Sequence, residues 1–126
     1  MKKFWILMLL FAPLVQAEEK VYIPELVTEL NRMMKMPIRV SPSIVLEAII
    51  GDDSSMTYVY TMRQMRSAIN LQSFELSVRA DKMAYACMMY KEGVENLEAV
   101  IHEYFDGSSP RQFIIAVTIT EADCAL

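Results

Sequence analysis

The sequence has few of the residues from which catalytic and metal-binding sites are usually built. It contains one histidine, His102, and two cysteines, Cys87 and Cys124. The spacings Cys-x-x-Cys, His-Glu-x-x-His and Gly-x-Ser-x-Gly do not occur, so the signatures of dithiol oxidoreductases, zinc proteases and serine hydrolases are missing. We therefore predict no catalytic residue, no metal site and no cofactor.

Glycine, proline and basic residues are also scarce. Three glycines and five prolines among 126 residues, with 54% hydrophobic residues, exclude a collagen-like or largely disordered chain. The length suits a single domain. The 12 basic residues are outnumbered by 16 acidic ones and form no cluster. This excludes nucleic acid as a partner, because phosphate binding needs grouped Lys and Arg.

The sequence has only one long apolar run, and that run has the features of an export signal. Lys2 and Lys3 precede the apolar residues 4–14, and Val15-Gln16-Ala17 follows as a cleavage site. We predict a signal peptide over residues 1–17 and one domain over residues 18–126. A buried N-terminal helix is the alternative interpretation.

The rest of the sequence predicts no attachment to a membrane. No other stretch reaches the roughly 20 apolar residues of a membrane-spanning helix. The residue directly after the cleavage site is Glu18 and not the cysteine on which a bacterial lipoprotein carries its acyl chains. We therefore expect a soluble protein of the periplasm, or one secreted further.

The two cysteines predict a disulfide. In an oxidising compartment, Cys87 and Cys124 are expected to pair. The bond closes a loop of about 37 residues and fastens the end of the chain to the domain. A redox-active or metal-binding thiol pair is the alternative.

Hydrophobic patterns and turn residues predict the order α-β-β-α-β-β. Pro24 at a first helical position and Pro37 after the last one bound the first helix, and Asn70 or Ser73 is expected to cap the second. The predicted helices are residues 24–36 and 71–90, and the predicted strands are residues 38–50, 57–62, 98–105 and 112–119. The fold class is α+β, with an antiparallel sheet of four strands or slightly more and helices on one face.

The same patterns predict which side chains face the core. Those of the second helix are expected to be Leu76, Ala80, Met83, Ala84 and Cys87. The strand side chains expected to share a face are Tyr58, Tyr60 and Met62; His102 with Val100 and Tyr104; and Phe113, Ile115, Val117 and Ile119.

The end of the sequence carries a recognisable arrangement. Cys87 ends a helix, two strands follow, and the chain closes with Thr120-Glu121-Ala122-Asp123-Cys124. Together with residues 57–61, this resembles a group of small exported bacterial proteins that finish in a similar strand and Ala-Asp-Cys. The group includes proteins described as quorum-sensing-regulated virulence factors. It is similar in fold to the second class of type II secretion pilotins.

The resemblance implies a disulfide-bonded α+β periplasmic domain without known enzymatic activity. Pilotins bind a helical tail of a secretin subunit and bring it to the outer membrane through their lipid. This chain lacks the lipidation cysteine, so the resemblance implies a groove for a peptide or helix rather than a lipid-borne carrier.

These observations predict a protein-interaction module whose partner is another envelope protein or a peptide segment of one. The first candidates for an adaptable apolar contact surface are Leu26, Leu30, Met33 and Met34, on the predicted first helix.

Two alternatives remain open at this point. The 11 methionines, some spaced Met-x-x-Met as at Met33 and Met36 or Met62 and Met65, are compatible with copper(I) binding. The second alternative is a small enzyme that uses His102.

Overall fold

The computed structural model describes residues 20–124 of the chain, and the predicted signal peptide lies outside that range. The elements, in chain order, are strand β1 (Val21–Tyr22), helix α1 (Ile23–Met34), strands β2 (Ile38–Ser41), β3 (Ile44–Gly51) and β4 (Ser55–Met62), helix α2 (Leu71–Lys91), and strands β5 (Val94–Glu95), β6 (Ala99–Asp106) and β7 (Phe113–Ile119). Short 3₁₀ turns precede α2 (Arg66–Ala68) and follow β7 (Glu121–Cys124).

Both helices begin and end close to their predicted bounds. Pro24 occupies the first turn of α1, and the helix stops at Met34 because Lys35 adopts a left-handed backbone conformation. Asn70 caps α2, as its side-chain oxygen accepts a hydrogen bond of 3.0 Å from the backbone N–H of Ser73.

The single strand predicted over residues 38–50 is wrong, because Pro42 and Ser43 divide it into β2 and β3. The two strands pair antiparallel, with Arg39 opposite Val45. Proline cannot donate a ladder hydrogen bond, and here it lies in the short connection between the strands. The Arg39 guanidinium donates to the Pro42 carbonyl at 2.9 Å and holds this turn.

The main sheet has five strands in the order β2-β3-β4-β6-β7. The predicted hairpin is confirmed as the antiparallel pair β3–β4, and β6–β7 is also antiparallel. The central pair β4–β6 is parallel. Parallel neighbours need a long crossover, and α2 lies in the segment that supplies it.

Both helices pack on one face of the sheet, so the predicted α+β class is confirmed. Buried side chains of the helices and of this sheet face form a single hydrophobic cluster. Among its members are Ile23, Leu26, Val27, Leu30, Leu46, Ile49, Met56, Tyr58, Tyr60, Met62, Val78, Tyr85, Met89, Val100, Tyr104, Val117 and Ile119. Gly51 allows α1 to approach closely, because a Cβ there would lie 2.7 Å from Cγ2 of Val27.

The last strand differs in detail from the predicted alternation. The pairing of β6 with β7 shifts between Tyr104 and Phe105, which leaves Ile114 buried as the extra residue. Phe113 consequently lies on the outer face of the sheet, where it pairs with Phe105 instead of packing in the core.

Within residues 20–124, no helix combines the length and the apolar character needed to cross a membrane.

Candidate functional site

The contact surface predicted on the first helix is not formed. Leu26 and Leu30 are 3% and 2% exposed and belong to the core, and Met34 packs against it half-buried. Only Met33, at 40% exposure, is open to solvent. The prediction is wrong for Leu26 and Leu30 because their helix uses that stripe to bind the sheet.

The outward side of α2 carries the apolar residues that the sequence predicted to face the core. Leu76 is 64% exposed, Ala80 and Ala84 are exposed, and Met83 is half-buried. The prediction is wrong for Leu76, Ala80 and Ala84, because α2 is apolar on two sides and the side with Val78, Tyr85 and Met89 meets the sheet. Met83, partly buried, does pack against the core. We call the residues Leu76, Ala80, Met83 and Ala84 the α2 outer face.

The α2 outer face has the spacing and the shape of a helix-binding surface. Its residues lie at i, i+4, i+7 and i+8, which places them along one stripe of the helix. Two alanines next to Leu76 and Met83 leave room for another backbone to come close. Such a row of large and small side chains accepts the knobs of a second helix.

Charged residues border the α2 outer face but do not interrupt it. Arg79 lies along one side and is paired with Glu75 at 3.3 Å and with Asp123 at 3.7 Å. Ser73 and Ser77 lie along the other side by helical geometry. Burial of this stripe would therefore not require an unpaired charge to lose its water.

The far end of the same helix is fastened to the end of the chain. The predicted disulfide is confirmed, since Cys87 and Cys124 are bonded with a Cα–Cα distance of 5.5 Å. The Tyr90 hydroxyl donates to the Ile119 carbonyl at 2.8 Å, and the Arg79 guanidinium donates to the Thr118 carbonyl at 3.0 Å. The α2 outer face thus lies on a helix that is held to β7 by polar contacts and to the turn Glu121–Cys124 by a covalent bond.

His102 lies beneath α2, on the sheet face predicted for it, and is 1% exposed. Its Nδ1 is 2.8 Å from the Tyr60 hydroxyl, and its ring stacks on Tyr58 with 4.9 Å between the centroids. The Tyr58 hydroxyl in turn donates to the Tyr85 hydroxyl of α2 at 2.9 Å. Within residues 20–124, Nε2 of His102 has no hydrogen-bond partner.

The surroundings of His102 favour its neutral form. Burial and, to a smaller extent, the positive charge of Lys82 lower the pKa of the imidazole to about 3, and the carboxylate of Asp81 partly opposes them. Burial likewise raises the pKa of Tyr85 to about 12. The cluster is uncharged at neutral pH, and the enclosed imidazole cannot reach a substrate while α2 covers it.

Among residues 20–124, Asp106 is the buried polar or charged side chain besides His102, and its carboxylate holds a loop together. It accepts hydrogen bonds from the backbone N–H groups of Arg66, Ser108 and Gln112 at 3.1, 3.1 and 2.9 Å. The Ser108 hydroxyl bond and these N–H groups hold the pKa of Asp106 well below its usual value. This is a structural role.

The methionines of the predicted Met-x-x-Met pairs do not share one environment. Met62 is buried in the core, whereas Met65 is exposed. Met33 is open to solvent, and Met36 packs partly buried against the core. In the part of the chain that the structure describes, no group of three or more His, Cys, Asp or Glu side chains is arranged to hold a metal ion.

The outer face of the sheet is a second exposed surface with apolar residues. Its cross-strand partners include Ile50 with Thr57 and Phe105 with Phe113, and Val59 is buried there opposite Glu103. The Arg111 guanidinium lies 4.4 Å above the Phe105 ring and donates to Thr61. Charges and hydroxyls divide this surface, as on the solvated side of many antiparallel sheets.

Comparisons with known proteins show a shared fold. No protein-family model and no curated protein matches the chain. A solved structure from Pseudomonas aeruginosa, described as a "putative secreted protein", is similar to it with a TM-score of 0.56 over 79% of this chain and 93% of that chain. The two sequences are 14% identical. At that identity the likeness concerns the fold, and the virulence and pilotin relationships stay predictions.

Sequence reasoning missed the α2 outer face although one signal pointed to it. The helix contains more apolar positions than one side can bury, and its aromatic residues Phe74 and Tyr85 lie away from the Leu76 stripe. Large side chains bury more area than alanines. Their positions therefore indicate which side packs against the sheet.

Proposed function

We propose that the protein is an exported, non-catalytic interaction module that binds an amphipathic helix of another envelope protein on the α2 outer face. The observation that carries this function is Leu76, 64% exposed at the end of an unbroken apolar stripe. The fit to a helix follows from the spacing of Leu76, Ala80, Met83 and Ala84. The sequence resembles a group of exported proteins that is similar in fold to the second class of type II secretion pilotins. Pilotins bind a helix, and this supports the same class of partner.

Export is part of the proposal and has two supports besides the sequence pattern. The Cys87–Cys124 disulfide is typical of oxidising compartments, and the chain shares its fold with a protein described as secreted. N-terminal sequencing of the protein isolated from cells is expected to begin at Glu18. A mature chain that still begins at Met1 would contradict export through this signal.

Absence of catalysis is also proposed, and the burial of His102 supports it. The only histidine of the sequence is enclosed by Tyr58 and Tyr60 instead of lining an open site. The alternatives of a copper(I) carrier or a small enzyme gain no further support from the positions of Met62, Met65 and His102.

The proposal is tested by photo-cross-linking in intact cells. A photo-reactive amino acid is placed separately at positions 76, 80 and 83, and at position 50 as a control on the outer face of the sheet. We expect adducts with one partner at the three α2 positions and none at position 50, where Ile50 is 55% exposed. Mass spectrometry of the adducts should map the partner contacts to one segment with apolar residues at helical spacing.

Matched charge variants then measure the contribution of each surface. Leu76→Glu is expected to lower adduct formation at position 80 at least about tenfold, because a carboxylate would be buried in an apolar contact. Ile50→Glu introduces the same charge at similar exposure and should have no effect. Loss with Ile50→Glu but not with Leu76→Glu would refute the α2 outer face as the site, and urea unfolding of both variants establishes that they fold.

A further inference from the structure

His102 lies under the turns of α2 whose outward side forms the α2 outer face. Residues 81–85 supply Lys82 and Tyr85 to the inner side and Met83 and Ala84 to the outer side. Lys82 places its Nζ 5.5 Å from the centroid of the Tyr60 ring, and Tyr85 bonds to Tyr58. Tyr60 and Tyr58 are also the two β4 residues that contact the imidazole.

These surroundings accommodate the imidazole of His102 only in its neutral form. The neutral imidazole carries one proton, on Nδ1 or on Nε2. In either tautomer Nδ1 forms a hydrogen bond with the Tyr60 hydroxyl, because a hydroxyl can donate or accept, while Nε2 has no partner among residues 20–124. The imidazolium would need an acceptor at both nitrogens. It would find none at Nε2, and it would lose its hydration.

The groups around the imidazole offer little compensation for a positive charge. From α2 they are Asp81, Lys82 and Tyr85; from β4, Tyr58 and Tyr60; from β6, Tyr104; and the β7 residue opposite is Val117. Asp81 is the carboxylate of this set, and its Oδ2 lies 3.2 Å from Nζ of Lys82. At His102 the repulsion from Lys82 exceeds the attraction of Asp81, so the pair gives an imidazolium no net stabilisation.

We propose that His102 makes the α2 outer face sensitive to acid, because its imidazole can take up a proton only when residues 81–85 of α2 move away from the sheet. The inference deepens the proposed function and rests on it for its biological meaning. Its physical basis, the opening of α2, is independent of any partner. Acid would loosen the helix that presents Leu76 and so weaken binding of the partner helix.

The expected size follows from linkage between proton uptake and opening. The histidine pKa is about 6.5 in the open state and about 3 in the closed one. The opened state therefore binds more protons below pH 6.5, and opening is favoured as the pH falls towards 3. Between pH 7 and pH 5 the opening constant of α2 should rise about 25-fold.

Hydrogen exchange tests the opening without any partner. Exchange of the backbone amides of residues 81–89 is measured by mass spectrometry at pH 7 and pH 5 and corrected for the intrinsic rates. We expect the 25-fold rise in the wild type, and no such rise in His102→Phe, which keeps a ring against Tyr58 but cannot titrate. His102→Asn, which keeps an acceptor for the Tyr60 hydroxyl, is a second non-titrating variant in case the first does not fold.

A direct titration keeps the inference falsifiable if neither variant folds. His102 is the only histidine, so an untagged protein gives a single imidazole signal by NMR. The folded-state signal should stay at its neutral position from pH 7.5 to pH 5. Titration near pH 6.5 with α2 still protected would overturn the inference, as would equal wild-type exchange at pH 7 and pH 5.

The coupling to binding is read from the adduct at position 80 at the two pH values. We expect the adduct to decline at pH 5 in the wild type and to persist in the His102 variants. Equal decline in wild type and variants would overturn the role of His102. Absence of any adduct at pH 7 would refute the proposed function, while the exchange result would still decide the acid-dependent opening of α2.

Discussion

Removal of the Cys87–Cys124 bond should cost most of the stability of this small domain. The bond closes a loop of 37 residues, and on the chain-entropy model this constraint lowers the entropy of the unfolded chain by about 13 cal/mol/K, or about 4 kcal/mol at 25 °C. Typical domains are stable by about 5–15 kcal/mol. The double variant Cys87→Ala/Cys124→Ala is therefore expected to be folded but marginal.

The folded state should survive because other contacts join the same elements. Tyr90 binds the Ile119 carbonyl, and Arg79 binds both Thr118 and Asp123. We expect fraying to be confined to the turn Glu121–Cys124, whose side chains are not part of the buried core. The far-UV circular dichroism of the double variant should match that of the wild type.

Urea unfolding measures the loss and separates its two components. Wild-type protein in a phosphine reductant loses the bond but keeps both sulfur atoms, so it should lose nearly as much free energy as the double variant. The m-value should rise in both, because an uncross-linked chain exposes more surface when it unfolds. A loss below about 1 kcal/mol with an unchanged m-value would refute the reasoning that the bond acts on the unfolded chain.

Two further substitutions test the packing of the first helix and the buried carboxylate. Gly51→Ala should lower the free energy of unfolding in urea by about 1–3 kcal/mol, since the new Cβ would lie 2.7 Å from Val27 and 2.9 Å from Ile23. The loss should be smaller in a Val27→Ala background. Equal losses in the two backgrounds would refute the clash. Asp106→Asn should destabilise at pH 7, because an amide cannot match the three N–H donors and the Ser108 hydroxyl. Because its pKa is lowered, the Asp106 carboxylate stabilises the folded state at pH values above the pKa of the unfolded state, and this effect is lost as the pH falls below about 4. The free energies of unfolding of wild type and variant should therefore converge in acid. A constant difference between them down to pH 2 would contradict the role of the charge.

Local signals were enough to predict both helices and the strands β4, β6 and β7. Prolines, an asparagine cap and the acidic turn before β4 act through neighbouring residues, and the alternation of Tyr58, Tyr60 and Met62 follows from strand geometry. The turn could be predicted because Asp52 stabilises it through its own neighbours. Its carboxylate accepts hydrogen bonds from the backbone N–H groups of Ser54 and Ser55.

Features that depend on distant parts of the chain could not be predicted. The parallel pairing of β4 with β6 is a choice among sheet topologies, and no local pattern distinguishes it from an antiparallel neighbour. The division at Pro42 and the bulge at Ile114 depend on which partner strand each segment meets. The side of α2 that binds the sheet is different, since the positions of Phe74 and Tyr85 within the helix indicate it.

Two features of the region around α2 are not needed for packing alone. Leu76 is exposed on the helix, and the imidazole of His102, on β6 beneath the helix, is buried with a nitrogen that has no partner among residues 20–124. An unsatisfied buried polar atom costs about 1–3 kcal/mol, and a phenylalanine at position 102 would avoid that cost while keeping a ring against Tyr58. If His102 served packing alone, His102→Phe would stabilise the protein at pH 7. The gain would be the cost of the unsatisfied nitrogen minus the cost of leaving the Tyr60 hydroxyl without its partner. The exchange of the α2 amides would then not depend on His102. Residues 81–85 lie over His102 on their inner side and present Met83 and Ala84 on their outer side. A movement of these turns that gives His102 a water molecule therefore also displaces Met83 and Ala84. Exchange of the amides in those turns therefore reports on both sides of the helix at once.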